Sequence, residues 1–169
     1  MTNKLLQIAY QQDLIFSCLD DICTSAVLSA YIFTSKVKDD ELKSRTFIVD
    51  FIYINLISDL IEIGINSINN EMSPDELREL LLITLPKQDD LFIWSATFIE
   101  ATRKTKDLAE HFGLCNWAAW GQPVHQEFMN SIINIYSDFD AITKGCDAKT
   151  AKERIMVAKR VIAQLTKSN

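Results

Sequence analysis

Two histidines, His111 and His125, and four cysteines, Cys18, Cys23, Cys115 and Cys146, are all the imidazoles and thiols in this chain. Neither histidine stands three residues from a glutamate, so the Glu-x-x-His pair of di-iron bundles is missing. His111 and Cys115 are four apart, a ligand spacing on a helix, but Gly113 between them favours a helix break and ordinary packing roles. The cysteines form no C-x-x-C or knuckle pattern, and in a chain rich in apolar residues they read as free, mostly buried thiols. No Gly-x-Ser-x-Gly elbow marks a serine nucleophile. The sequence therefore predicts no catalytic residue, no metal site and no cofactor.

Acidic and aromatic residues are more informative. Asp59 and Glu62 lie at i and i+3, one helical turn apart. General acid–base chemistry places two carboxylates across a cleft, so this pair suits an acidic groove that receives a basic partner, or a solvated stripe. Asp39-Asp40-Glu41 is a second acidic run. Trp117 and Trp120 stand with Phe112, His125 and Phe128 around the least regular stretch, 113–125. Tryptophan serves both as an interface anchor and as a filler where a loop folds back on a core. Asp39, Asp40, Glu41, Asp59, Glu62, Trp117, Trp120 and His125 are the candidate partner-binding residues.

The elements that must position them read as helices. Only 4 Gly and 3 Pro occur in 169 residues, too few to punctuate hairpins or βα loops. With 48% hydrophobic and 24% charged residues, disorder is excluded as well. The expectation is an all-α fold: one domain over 1–169, a bundle of five long helices with one or two short ones. Over 4–37 an apolar stripe runs Ile8, Ile15, Leu19, Ile22, Ala26, Ala30, Phe33, Val37, as one helix or as two bent near Asp20-Asp21. Residues 41–69 form a central, isoleucine-rich helix, because Asn55, Ser58, Asp59, Glu62 and Asn66 fall on one narrow polar stripe.

Ser73-Pro74-Asp75-Glu76 has the spacing of a capping box with proline at the first helical position, and Pro86 ends that helix. A heptad-like series over 88–112 (Leu91, Trp94, Phe98, Ala101, Thr105, Leu108, Phe112) predicts a helix stopped by Gly113. Asn116 and Gly121 bracket a single turn. A helix then runs from Val124 to Gly145, and Asp147 or Thr150 caps the last one.

Net charge is −6 with a pI near 4.9, which disfavours nucleic acid and anionic membranes as partners. Residues 147–169 carry six Lys/Arg against Asp147 and Glu153, a net of +4 on the final helix, which reads as a solvated face and otherwise as a surface for an anionic partner or for self-association. The first residues do not read as a secretory signal, and the apolar window Phe47 to Ile68 is broken by Asp50, Asn55, Asp59 and Glu62, so a cytoplasmic protein is expected. The isoleucine content, 21 of 169, suits an AT-rich bacterial or viral gene. Composition points to a non-catalytic module that masks or regulates a basic protein, as immunity proteins and antitoxins do for their toxins. The alternative is a helical enzyme or small-molecule binder with a pocket near 113–125, lined by Trp94, Trp117, Trp120 and His125.

Overall fold

The computed structural model describes residues 3–27, 41–84 and 91–166. Besides a helical stretch at 24–27, its helices are α1 (Asn3–Leu19), α2 (Glu41–Ile57), α3 (Pro74–Ile83), α4 (Leu91–Ala96), α5 (Arg103–His111), α6 (Trp117–Trp120), α7 (Gln126–Ser137), α8 (Phe139–Ile142) and α9 (Ala148–Thr166). Three short strands join them: β1 (Ile22–Cys23), β2 (Ile61–Ile63) and β3 (Phe98–Ala101). They form an antiparallel sheet in the order β1-β3-β2. The fold is mostly helical, and the expectation of an all-α bundle of five long helices is corrected by this sheet.

Helix α2 is the centre. Every residue from Ile48 to Asn55 is buried, and the helix packs on both α3 and α9. It does not continue to 69. The Leu60 N–H reaches back to the Asn55 carbonyl (2.9 Å) and the Asp59 N–H to that of Leu56 (3.1 Å), with Asp59 at φ 57°. This is a Schellman stop in which aspartate fills the left-handed position that glycine usually takes. The next residues alternate inward and outward as a strand. Ile61 pairs with Ala101, Glu62 with Glu100 and Ile63 with Ile99. The polar stripe is divided: Asp59, Glu62 and Asn66 are exposed, whereas Asn55 and Ser58 are buried. Asn55 is fully buried, donating to the Phe51 carbonyl (2.8 Å) and accepting the Tyr136 hydroxyl (2.7 Å).

The heptad-like stretch is divided for a similar reason. Thr97 donates its hydroxyl to the Ile93 carbonyl (2.7 Å) and accepts the Asn69 amide (2.7 Å), and its own carbonyl takes the Thr24 N–H (2.9 Å). Long-range partners thus end α4, and β3 follows. Thr102 and Thr105 then tie the start of α5 to the α2–β2 corner through the carbonyls of Asp59 and Leu60. The expected helix from Val124 to Gly145 is also cut in two, at Asp138, whose carboxylate accepts the Ala141 N–H (3.0 Å) and starts α8.

Other local readings hold. The Ser73–Glu76 capping box is formed, Asn116 caps the turn that Gly121 closes, and Gly113 stops α5 at φ 69°. Asp147, not Thr150, caps α9 by accepting the N–H groups of Lys149 and Thr150. The chain breaks after α1 at Asp20-Asp21, while residues 28–40 and Pro86 lie outside the described residues.

Candidate functional site: an acidic cavity at the end of α2

The strongest charge cluster is structural. Asp50 on α2 is 1% exposed and meets Arg160 of α9 (Oδ2 to Nε, 2.7 Å) and Arg78 of α3 (Oδ1 to Nη2, 3.5 Å). Arg78 continues to Glu153 (2.7 Å) and lies over the Tyr53 ring (5.0 Å to its centroid). Tyr53 donates its hydroxyl to Asp75 (2.5 Å), and Asp75 also holds Arg154 (2.5 Å). Burial pushes the Asp50 carboxyl up, although both guanidiniums pull the other way. Burial also acts on Asp75, but the Tyr53 hydroxyl and Arg154 outweigh it and hold that carboxyl below its ordinary value. Three carboxylates and three guanidiniums cancel, fastening α3 and α9 to the central helix. The +4 of the final helix is therefore answered in part inside the fold, through Arg154 and Arg160.

A different set of carboxylates is left unanswered. Below the Schellman stop, a cavity of about 360 Å³ opens between Ile57, Asp59, Lys104, Ile135, Asp138 and Ile142. Asp59 and Asp138 are exposed, and neither belongs to an ion pair among the described residues. Lys104 donates its ammonium to the Ser58 carbonyl (2.7 Å), one of the last acceptors of α2. Ser58 also lines the cavity, is 5% exposed, and its Oγ has no hydrogen-bond partner among the described residues. Three residues beyond Asp59, Glu62 faces solvent on β2 directly opposite Glu100 of β3.

Of the predicted residues, Asp59 and Glu62 fall together here, on a helix stop and a strand instead of one helix face. Asp39 and Asp40 lie outside the described residues, and Glu41 enters only as the first backbone position of α2. Trp117 (58% exposed) and Trp120 (43%) stand elsewhere, on α6, each edge-on to Phe16 of α1 (5.5 and 6.3 Å between centroids). His125 is a cap: its Nδ1 accepts the Phe128 N–H (3.3 Å) that starts α7, so in the neutral ring the proton sits on Nε2.

Buried Gln11 of α1 clamps this connection. It donates to the Pro123 carbonyl (3.2 Å) and accepts the His125 N–H (2.6 Å). An open groove of about 420 Å³ runs beside it, past Asn116, Gln122 and His125. Trp94, read as a pocket wall, is instead core, donating its indole N–H to Thr84 (3.1 Å).

Sequence reasoning missed Asp138 and Glu100. The signal for Asp138 was available: an aspartate three residues before Ala141, inside a run that otherwise reads as helix, is a capping position. Glu100 becomes meaningful only through strand register. Among the described residues, no group of three or more His, Cys, Asp or Glu is gathered to hold a metal ion. No helix there is long and apolar enough to cross a membrane. Fold and site together define a small, mostly helical protein with an acidic recess at the end of its central helix. No protein family, curated protein or solved structure matches the chain.

Proposed function

We propose that this is a non-catalytic, cytoplasmic, single-domain binding module that neutralises or regulates a basic protein, in the manner of an immunity protein or antitoxin. One observation carries the reading: four carboxylates that form no ion pair among the described residues stand where the fold gains little from their charge. Asp59 sits at the C-terminal, partially negative end of α2, where an anion is unfavourable by about 0.3–1 kcal/mol. Glu62 directly faces Glu100, and like charges across a strand pair are also destabilising. Asp138 caps α8, a task that asparagine performs equally well. Meanwhile the four arginines with described side chains, Arg78, Arg103, Arg154 and Arg160, are all paired with carboxylates. The available field is therefore negative, as needed to steer a cationic protein.

The four thiols are free, in keeping with a reducing compartment. Two of the final helix's arginines are engaged internally, which leaves its lysines as the groups available for self-association.

The test is co-expression with the product of the adjacent gene, followed by gel filtration at low and high salt. A complex that weakens with salt and is lost in the Asp59→Asn/Glu62→Gln/Glu100→Gln/Asp138→Asn variant supports the reading. A salt-independent complex, or none, removes it. A second reading, a small-molecule binder, is favoured by the groove beside His125. There His125→Asn, which keeps a capping side chain, should abolish any ligand-induced thermal shift.

A further inference from the structure

We propose that the cavity at the end of α2 is a socket for one aliphatic cation, an arginine or lysine side chain of the basic partner. The inference rests on the partner reading and adds where and how such a side chain is held.

The lining matches that chemistry. Ile57, Ile135 and Ile142 form an apolar wall suited to a methylene stem, and Asp59 and Asp138 supply two carboxylates for its charged head. Ser58 closes the floor of the cavity, its Oγ buried and without a hydrogen-bond partner among the described residues. The only cation in the lining, Lys104, is committed to the Ser58 carbonyl. Its charge offsets one of the two aspartates, so the cavity retains a single negative charge and is matched by one cationic head group. The last carbonyls of α2 reinforce the sign.

The argument that these aspartates serve binding comes from what their backbones need. The left-handed φ of Asp59 and the cap at Asp138 are both served by asparagine. Charge is the one property of aspartate that neither backbone role requires. Glu62 and Glu100 extend the acidic surface past the cavity onto the sheet, which a protein partner would cover and a free amine would not.

The probes are agmatine, which is an arginine side chain with a free amine, an acetylated and amidated Ala-Arg-Ala peptide, and putrescine. Each is titrated into the full chain at low salt and followed by amide chemical shifts. Saturable shifts confined to 57–59, 104 and 135–142 are expected, with a dissociation constant on the order of 1 mM. Asp59→Asn and Asp138→Asn should each weaken binding about fivefold, and the pair should abolish it. Glu62→Gln should leave agmatine affinity unchanged.

Absence of saturable shifts, or full binding by the double asparagine variant, overturns the socket. Putrescine binding more tightly than the peptide overturns the side-chain assignment in favour of a free amine. Probe binding without capture of any basic protein leaves the socket standing and removes the masking role. Capture that ignores Asp59 and Asp138 does the reverse.

Discussion

Replacing Asp50 with asparagine removes one charge from the centre of the molecule while keeping the shape, and its consequence is readable from the geometry. Breaking a buried ion pair by removing one partner is destabilising by about 3–5 kcal/mol, because the other charge stays buried. The two partners of Asp50 differ in this respect. Arg160 is 42% exposed, so its guanidinium can rehydrate and its share falls towards the 0–1 kcal/mol of a surface pair. Arg78 is only 12% exposed but keeps Glu153 and the Tyr53 ring. What it loses is one charged neighbour at 3.5 Å in a buried setting, worth about 1–3 kcal/mol.

Asp50→Asn should therefore cost about 2–3 kcal/mol, lowering the urea midpoint by about 1 M for an m-value near 2 kcal/mol/M. The pH dependence has a definite sign. Burial raises the Asp50 carboxyl above its ordinary value of 3.8, so the folded state binds this proton more tightly than the unfolded chain. Protonated aspartate sheds that burial cost and keeps an oxygen towards each guanidinium, whereas asparagine must turn its NH2 donors on one of them, so acidification through the folded value towards 3.8 relieves the wild type and not the variant. The gap between wild type and variant should widen on mild acidification. Equilibrium urea unfolding at several pH values measures both effects. A cost below about 1 kcal/mol, or an Arg160→Met variant as damaging as Arg78→Met, would refute the reasoning.

Asp59→Gly should stabilise the fold by up to about 1 kcal/mol, and Asp59→Val should destabilise it by about 1–2 kcal/mol, since φ 57° suits glycine and penalises a β-branched residue. Thermal midpoints would settle both, and a reversed order would deny the Schellman stop. Gln11→Ala should cost about 2 kcal/mol and expose the His125 amide to hydrogen exchange while α3 stays protected. Exchange unchanged at His125 would mean that the clamp is idle. Asp13 is half-buried on α1, belongs to no ion pair among the described residues, and burial pushes its carboxyl well up. Its ionised form therefore opposes folding at neutral pH. Asp13→Asn should raise the melting temperature at neutral pH, and the gain should shrink on acidification as the wild-type carboxyl protonates. A constant gain across pH would contradict this.

What the sequence makes legible is what short-range chemistry decides. Ser73, Pro74 and Glu76 carry the start of α3 in adjacent residues, and Asn116 and Gly121 do so for α6. Gly113 announces a stop because a positive φ favours it. The stop at Asp59 is silent, since aspartate is also a common helix-surface residue and only the two backbone bonds to Asn55 and Leu56 reveal its role. The strands are silent too. Runs of two, three and four residues are too short to establish a period of two, and β3 exists because Thr97 is held by Thr24 and Asn69 from distant segments. His125 misled for the same reason: its aromatic neighbours suggested a surface, while its ring caps α7 and its backbone binds a glutamine 114 positions away.

The charge distribution follows from the same long-range pairing and separates stability from binding. Asp50, Asp75 and Glu153 against Arg78, Arg154 and Arg160 sum to zero, so the whole net charge of −6 is carried by the other groups. Buried and partly buried pairs are screened weakly by salt, whereas exposed charges are screened over about 8–10 Å at ordinary ionic strength. Raising salt should therefore leave the α2–α3–α9 network and the unfolding midpoint nearly unchanged. The same salt should suppress capture of a cationic partner at Asp59, Glu62, Glu100 and Asp138. A protein whose complex and fold weakened together with salt would have its acidic surface coupled to its core, contrary to the separation drawn from these pairs.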